Sequence, residues 1–341
     1  MPLIMSASLN ITRRHFLLAG GIGLLATPVL LPLALKQESA YKERFLTALS
    51  NNGKQFVCSM TLEGRELFRA EIPTQFHSIA VCDAAPDIAI GLTRAPETEA
   101  LIISAQSGNI VGRLKPGLNR HFNGHGCFSA NGDLFYATEN NFNAQQGCIG
   151  VYDLSSQTRL AELNSFGQGP HEVAFLSDGR TLVVANGGIQ THPSSGRDEL
   201  NKATMRPSLA YIDSQSGELI YQHELSDHQL SIRHMAIGAD DTVGIAMQYK
   251  GRSDIPALVG FQKGDKPVTT LRASSDKTQW QMNNYTASIC IHPESGVTGV
   301  TSPRGNIVTF WDSRNHNYIS AVDIFDPGGI ALSDDGKFFF V

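Results

Sequence analysis

Four histidines stand at the head of a recurring apolar segment: His77 in His-Ser-Ile-Ala-Val, His125 in His-Gly-Cys-Phe-Ser, His171 in His-Glu-Val-Ala-Phe and His234 in His-Met-Ala-Ile-Gly. Imidazole is a ligand for Cu, Fe, Zn or Ni, and rings from separate segments can build a site without any local motif. Two later segments carry Ala287 and Gly328 at the same place. A His kept only for structure would recur in every segment, whereas an ion needs only an arc. The competing reading is that each ring bonds a turn carbonyl of its own. Glu139 and Asn186 end second strands of successive segments, and Arg206, Arg233 and Arg304 sit in Met-Arg-Pro-Ser, Ile-Arg-His and Pro-Arg-Gly contexts. A guanidinium beside a channel grips carboxylate or phosphate in two-pronged fashion; its plainer role is a surface ion pair. His121, His192 and His228 are lesser ligand candidates whose plainer reading is solvated loop residues. Cys127 follows His125 by two places, which puts both on one face of a strand, so a mixed His/Cys site stands beside the plainer reading of a packed thiol.

Other chemistries lack their residues. There is no Gly-x-Ser-x-Gly elbow, His-Glu-x-x-His helix, P-loop or Cys-x-x-Cys-His. Asp240-Asp241 and Asp334-Asp335 are turn acids, not a glycosidase pair. No nucleophile–base pair can be nominated from spacing.

The elements that carry the histidines repeat. One unit runs from His125 through an Asn-Gly turn to Glu139, then to Asp153 and on to Leu163; the next runs from His171 through Asp-Gly to Asn186, then to Asp213 and Tyr221. Each is a short apolar strand, an Asn/Asp-Gly hairpin turn, a second strand, a third ending in Asp, and a fourth. Four short strands in a period of about 40–50 residues mark a β-propeller blade. Blades fall at about 76–115, 119–165, 169–226, 230–272 and 283–323. The tail from Gly328 opens another blade and stops in its second strand. The head, 41–72, holds up to three strands (44–49, 55–62 and 66–72), expected to be closed by a strand from the far end of the chain. The expectation is an all-β, seven-bladed, WD40/YVTN-like propeller with its last blade incomplete, or six blades if head and tail share one. The stop at Val341 suggests that closing strands are missing. The polar insertion 187–207 should lie over one face. Radial symmetry then brings the four imidazoles to one mouth of the central channel.

The first forty residues read as an address. Arg13 and Arg14 precede Phe16-Leu17 and an apolar run of 20 residues to Leu35, which resembles a twin-arginine (Tat) export signal. As a helix the run would span about 30 Å, enough to remain as an anchor if uncleaved. The domain division is therefore 1–40 signal or anchor and 41–341 propeller, with the bulk of the protein in the periplasm.

Hydrophobic residues are 41% of the 341-residue chain and charged residues 17%, so a core can form. The net charge of -5 and the absence of any Lys/Arg run exclude a general nucleic-acid binder. Five cysteines without a Cys-x-x-Cys are not a disulfide scaffold, and they read as small buried hydrophobes.

The strings Gly124-His-Gly-Cys-Phe-Ser, Tyr136-Ala-Thr-Glu-Asn, Gly169-Pro-His-Glu-Val and Val184-Ala-Asn-Gly-Gly-Ile-Gln-Thr-His-Pro carry a resemblance, continued by Met205-Arg-Pro-Ser-Leu-Ala-Tyr, Leu230-Ser-Ile-Arg-His, Ser302-Pro-Arg-Gly and Thr309-Phe-Trp-Asp. Over about 41–341 the chain resembles the "domain of unknown function 1513" family. The resemblance implies a Tat-exported propeller whose gene often neighbours imelysin-like, iron-regulated periplasmic proteins and dihaem-peroxidase-like proteins, hence a part in iron handling with such partners. It supplies no catalytic residue. The combined expectation is a periplasmic propeller, more a binder than an enzyme, that holds an iron or copper ion or complex through His77, His125, His171 and His234. The alternatives are a metal-dependent oxidoreductase or lactonase-like hydrolase on the same scaffold, and a docking platform without cofactor.

Overall fold

The computed structural model describes residues 4–8 (as backbone), 44–93, 98–196, 198–252 and 255–341. It is an all-β propeller. Six four-stranded antiparallel sheets form the blades, and the tail adds a two-stranded sheet, Ala331–Leu332 with Phe339–Phe340. Six complete blades is therefore the count, the alternative of the two expected. A seventh four-stranded sheet is not present among the described residues.

The blade sheets cover 44–72, 78–114, 120–164, 170–224, 230–271 and 288–323. The first takes its remaining strand from Ile4–Ser8, which pairs with Arg44–Asn51. That corrects the expectation of a closing strand from the far end. The tail touches the first blade through side chains instead, with the Phe45 and Phe340 rings 4.7 Å apart. Arg13, Arg14 and the apolar run after them lie outside the described residues. Among the described residues no helix is long and apolar enough to cross a membrane.

The chemistry of one blade shows why the repeat folds. In the fourth blade Thr181–Asn186 (TLVVAN) is β-branched and almost wholly buried, as a strand covered on both faces must be. The turn before it needs a positive φ, which Gly179 supplies at 64°. Asp178 fixes that turn by accepting the Arg180 and Thr181 N–H groups at 2.8 Å each. The acids that end third strands do the same. Asp153 accepts Ser156 N–H at 2.7 Å and Asp213 accepts Ser216 N–H at 3.0 Å, and these bonds push both carboxyls down to about 2. Outer strands such as Thr158–Asn164 face water and are mostly exposed.

Apolar side chains between neighbouring blades make the core. One cluster runs through the fourth, fifth and sixth blades and includes Tyr211, Met247, Phe261 and Trp311. Each such side chain contributes on the order of 2–3 kcal/mol by leaving water. The innermost strands touch in sequence around the axis, from Ser78–Ala80 through Arg120–Phe128, Pro170–Phe175, Leu230–Ile237 and Ser288–Ile291 to the tail. This ring positions the candidate site.

Candidate metal centre

In the third, fourth and fifth blades the histidine sits where the inner ladder is irregular, while His77 immediately precedes the regular strand Ser78–Ala80. Pairing shifts between Ala137 and Glu139 opposite the third blade's inner strand, between Pro170 and Glu172 in the fourth, and between Ile232 and His234 in the fifth. A bulge opposes two residues to one, so successive side chains can both lean toward the channel where a regular strand would send them to opposite faces.

This irregularity corrects the one-register alignment. Ser129, Leu176 and Gly238 donate equivalent turn-closing bonds, to Leu134 O at 2.9 Å, Thr181 O at 2.9 Å and Thr242 O at 2.8 Å. Counting back equally from those anchors places His125, Glu172 and His234 at one position. In the second blade Ser78, opposite Leu92, holds that position, as Glu172 does opposite Ala185 and His234 opposite Ala246. His77 and His171 belong to the preceding register, which Gly124 fills in the third blade and Arg233 in the fifth. The four histidines thus come from two adjacent registers, alternating from blade to blade.

The alternation still gathers them. Ring centroids are 4.9 Å apart for His77 and His125, 4.8 Å for His125 and His171, and 5.0 Å for His171 and His234. His77 Nε2 lies 3.4 Å from His171 Nε2. His77, His125 and His171 each turn a ring nitrogen into one volume, all three within 4.8 Å of one another. Tetrahedral ligands at about 2.1 Å from a shared Zn-like ion would stand about 3.4 Å apart. The His77–His171 pair already has that separation, and His125 would have to close by a modest amount. His125 and His171 are 8% and 4% exposed, so water competes little for the site.

Glu172 is the member that sequence reasoning missed. Its Oε1 lies 3.6 Å from His125 Nδ1 and its Oε2 lies 3.5 Å from His234 Nδ1. The same Oε2 accepts the Met235 N–H at 2.6 Å. Burial pushes this carboxyl up, but His125, His234 and the amide outweigh burial and hold it below its ordinary range. A carboxylate on the Nδ1 side of His125 fixes that ring and sends Nε2 the other way, the usual support of a metal-ligating His. The available signal was the residue after His171 in Pro-His-Glu-Val. It was readable only by counting from the hairpin rather than matching His to His. Burial, then Arg233 and the neighbouring imidazoles, hold His171 well below its ordinary value, so it is neutral at pH 7 and able to ligate.

Above the histidines the channel opens into a cavity of about 250 Å³ that His77, His171 and His234 border. Arg233 and Arg304 line it, as do Lys250, Tyr285 and Glu199, which the sequence did not single out. Glu199 belongs to the 187–207 insertion, so that segment covers this mouth of the channel. Three sequence candidates lie elsewhere. Glu139 is fully buried between blade strands, bonded to the Tyr152 hydroxyl and 2.9 Å from Arg159 Nη2. The nearby Glu139, Cys148 and Glu162 set is occupied by guanidinium groups: Arg120 pairs with Glu162 at 2.5 Å, and Arg159 pairs with Glu162 at 2.7 Å as well as with Glu139. Asn186 is buried and donates to Ser165 O at 2.8 Å. Arg206 is exposed and pairs with Glu224 at 2.6 Å.

His121 is not a solvated loop residue. It is buried, its Nδ1 is 3.1 Å from Phe122 O, and its ring stacks on Phe142. His192 accepts the Ser194 N–H and caps a short 3₁₀ turn, while His228 is exposed. Cys127 packs between the third and fourth blades against Tyr136 and Val173, and burial pushes its thiol far up, so it adds no thiolate. All five cysteines are free; burial pushes the Cys148 thiol up to about 12 and the Cys290 thiol up to about 11.

The chain belongs to the family described as "Protein of unknown function (DUF1513)", which matches residues 70–341. No curated protein matches it. Among solved structures, 1122 chains match. One is the Hydrazine Synthase of Kuenenia stuttgartiensis, with a TM-score of 0.67 and 15% identity over 87% of this chain and 88% of that one. At that identity the likeness shows the fold alone.

Proposed function

We propose that this member of the DUF1513 family is a metal-binding propeller whose channel-mouth histidines hold an iron or copper ion, or a complex of one. The carrying observation is the 3.4 Å approach of His77 Nε2 to His171 Nε2, with His125 facing the same volume. Two neutral imidazoles gain nothing from adjacent lone pairs unless a proton or a cation lies between them. His77, His125 and His171 would be the ligands. His234 and Glu172 would orient His125 and balance the charge.

In the wider proposal the protein is exported to the periplasm by the Arg13–Arg14 signal, or held at the membrane by the segment after it. There it works in iron or copper handling with imelysin-like partners. The support is the sequence pattern and the family resemblance. A metal-dependent oxidoreductase is the second reading, because the cavity leaves one side of the ion open to a small molecule.

The test is elemental analysis of the full chain purified from the periplasm, alongside the His125→Ala/His171→Ala double variant. About one equivalent of iron or copper, lost in the variant, supports the proposal. Unchanged metal content in the variant removes it. Turnover of a redox dye, abolished by chelation and restored by the metal, would favour the oxidoreductase.

A further inference from the structure

Arg233, Lys250 and Arg304 converge on the cavity above the histidines, and one carboxylate, Glu199, faces them from its lining. Glu199 is already engaged: its Oε1 pairs with Lys250 Nζ at 2.6 Å and its Oε2 with Lys202 Nζ at 3.1 Å. Among the described residues no carboxylate stands within ion-pair distance of Arg233 or Arg304. The Arg233 Nε–H is buried and meets no acceptor, and the Asn123 amide on the same lining also has an orphaned buried N–H. Arg304 lies over the Tyr285 ring, its carbon 4.1 Å from the centroid, which holds the guanidinium at the rim without spending its donors. Buried donors without acceptors therefore stand on this lining, and its cations outnumber its anions.

We propose that this cavity is a binding site for a small polycarboxylate, gripped by Arg233, Lys250 and Arg304 and adjoining the histidine cluster. Two forked guanidiniums on neighbouring blades suit planar carboxylates, and they are arranged around a cavity rather than around one point, as a single phosphate would require. The volume of about 250 Å³ leaves room for a citrate-sized molecule. This subsite goes beyond the metal reading and stands on different residues. If both hold, the cargo is a metal carboxylate complex with the metal on the histidines and the chelator on the cations.

The experiment is titration of the full-length, metal-stripped protein with citrate, tricarballylate and inorganic phosphate. The readout is the heat of binding in isothermal titration calorimetry. The proposal expects saturable citrate binding that weakens with added salt. Arg304→Gln should weaken it at least about tenfold, since a charge-assisted pair is lost. Arg304 is exposed, so that variant should fold. Glu199→Gln removes the one competing charge and should tighten binding about threefold or more, a sign that a merely structural role would not give. Absence of citrate binding, phosphate binding in its place, or wild-type affinity in both variants overturns the proposal. Because metal is absent throughout, the result is separate from the metal content that tests the first proposal.

Discussion

Gly124 and His77 share a space that only one of them can fill. A Cβ built on Gly124 would lie 2.2 Å from His77 Cδ2, and Gly124 has a φ of 101°. The third blade gives up a side chain at the register where the second and fourth place His77 and His171, and the vacated volume lets His77 reach across to His171. Gly124→Ala should therefore do two things. Its strained backbone should cost about 1–3 kcal/mol of stability. It should also displace the His77 ring and lower metal affinity about tenfold or more. Gly179→Ala is the control, strained at a φ of 64° but with only Ala130 Cβ, at 3.8 Å, nearby. Urea unfolding and competitive metal titration of both variants separate strain from displacement. Equal metal affinity in the two would show that the ring position does not matter.

Glu172 holds His125 and His234 from their Nδ1 sides while its Oε2 accepts the Met235 amide. Glu172→Gln keeps an oxygen for that amide and removes the charge. The fold should survive with a loss of about 1–3 kcal/mol, and metal affinity should fall about 10–100-fold. Isothermal titration with the metal found in the native protein checks this. An unchanged affinity would make Glu172 a structural acid only.

The propeller was legible because its signals are local. The Asp178-Gly179 turn, the Asp153 and Asp213 caps and the buried TLVVAN strand each state their conformation within a few residues. The convergence of the histidines was legible from rotational symmetry. Their register was not, since the bulges at Pro170/Glu172 and Ile232/His234 each insert a residue that a letter-by-letter alignment absorbs silently. Hence Glu172 stayed hidden beside His171, although the two are chain neighbours. Glu139 misled for the opposite reason: it lies within the strand Leu134–Asn141, and its side chain turns into the blade to meet Arg159. Lys250 and Tyr285 follow no repeat, and only the folded chain brings them to the cavity that His234 borders.

Burial raises the Glu139 carboxyl, and the Arg159 guanidinium and Tyr152 hydroxyl act against that rise. Arg159→Met would strand an acid inside the third blade. The expected cost is about 3–5 kcal/mol, because an uncompensated buried charge remains. Adding Glu139→Gln should restore most of that loss, while metal binding is unchanged in both variants. Chemical denaturation of the double-mutant cycle checks the coupling. A loss of metal with Arg159→Met would return Glu139 to the channel chemistry.

Buried histidines give the metal-free protein a signature in acid, His171 foremost. His171 titrates well below its ordinary value of 6.5 when folded, chiefly because burial penalises its charged form. The unfolded chain therefore takes up a proton near pH 6.5 that the folded chain refuses. Stability is complete above that pH and falls as pH drops through it, with a slope of up to about 1.4 kcal/mol per pH unit for the one proton. Glu172, held below its ordinary range, adds a second loss only as pH falls beneath about 4.3. The two losses begin at different pH, so urea midpoints measured from pH 8 to pH 3 cover both. His121, which burial also holds below its ordinary value, contributes a loss of stability in the same range, so His171→Gln should reduce the slope below pH 6.5 rather than abolish it, and leave the lower step in place. If the wild-type curve is already flat between pH 6.5 and about 5, His171 is not held neutral by its surroundings, and the ring would then carry a proton where a metal is proposed to sit.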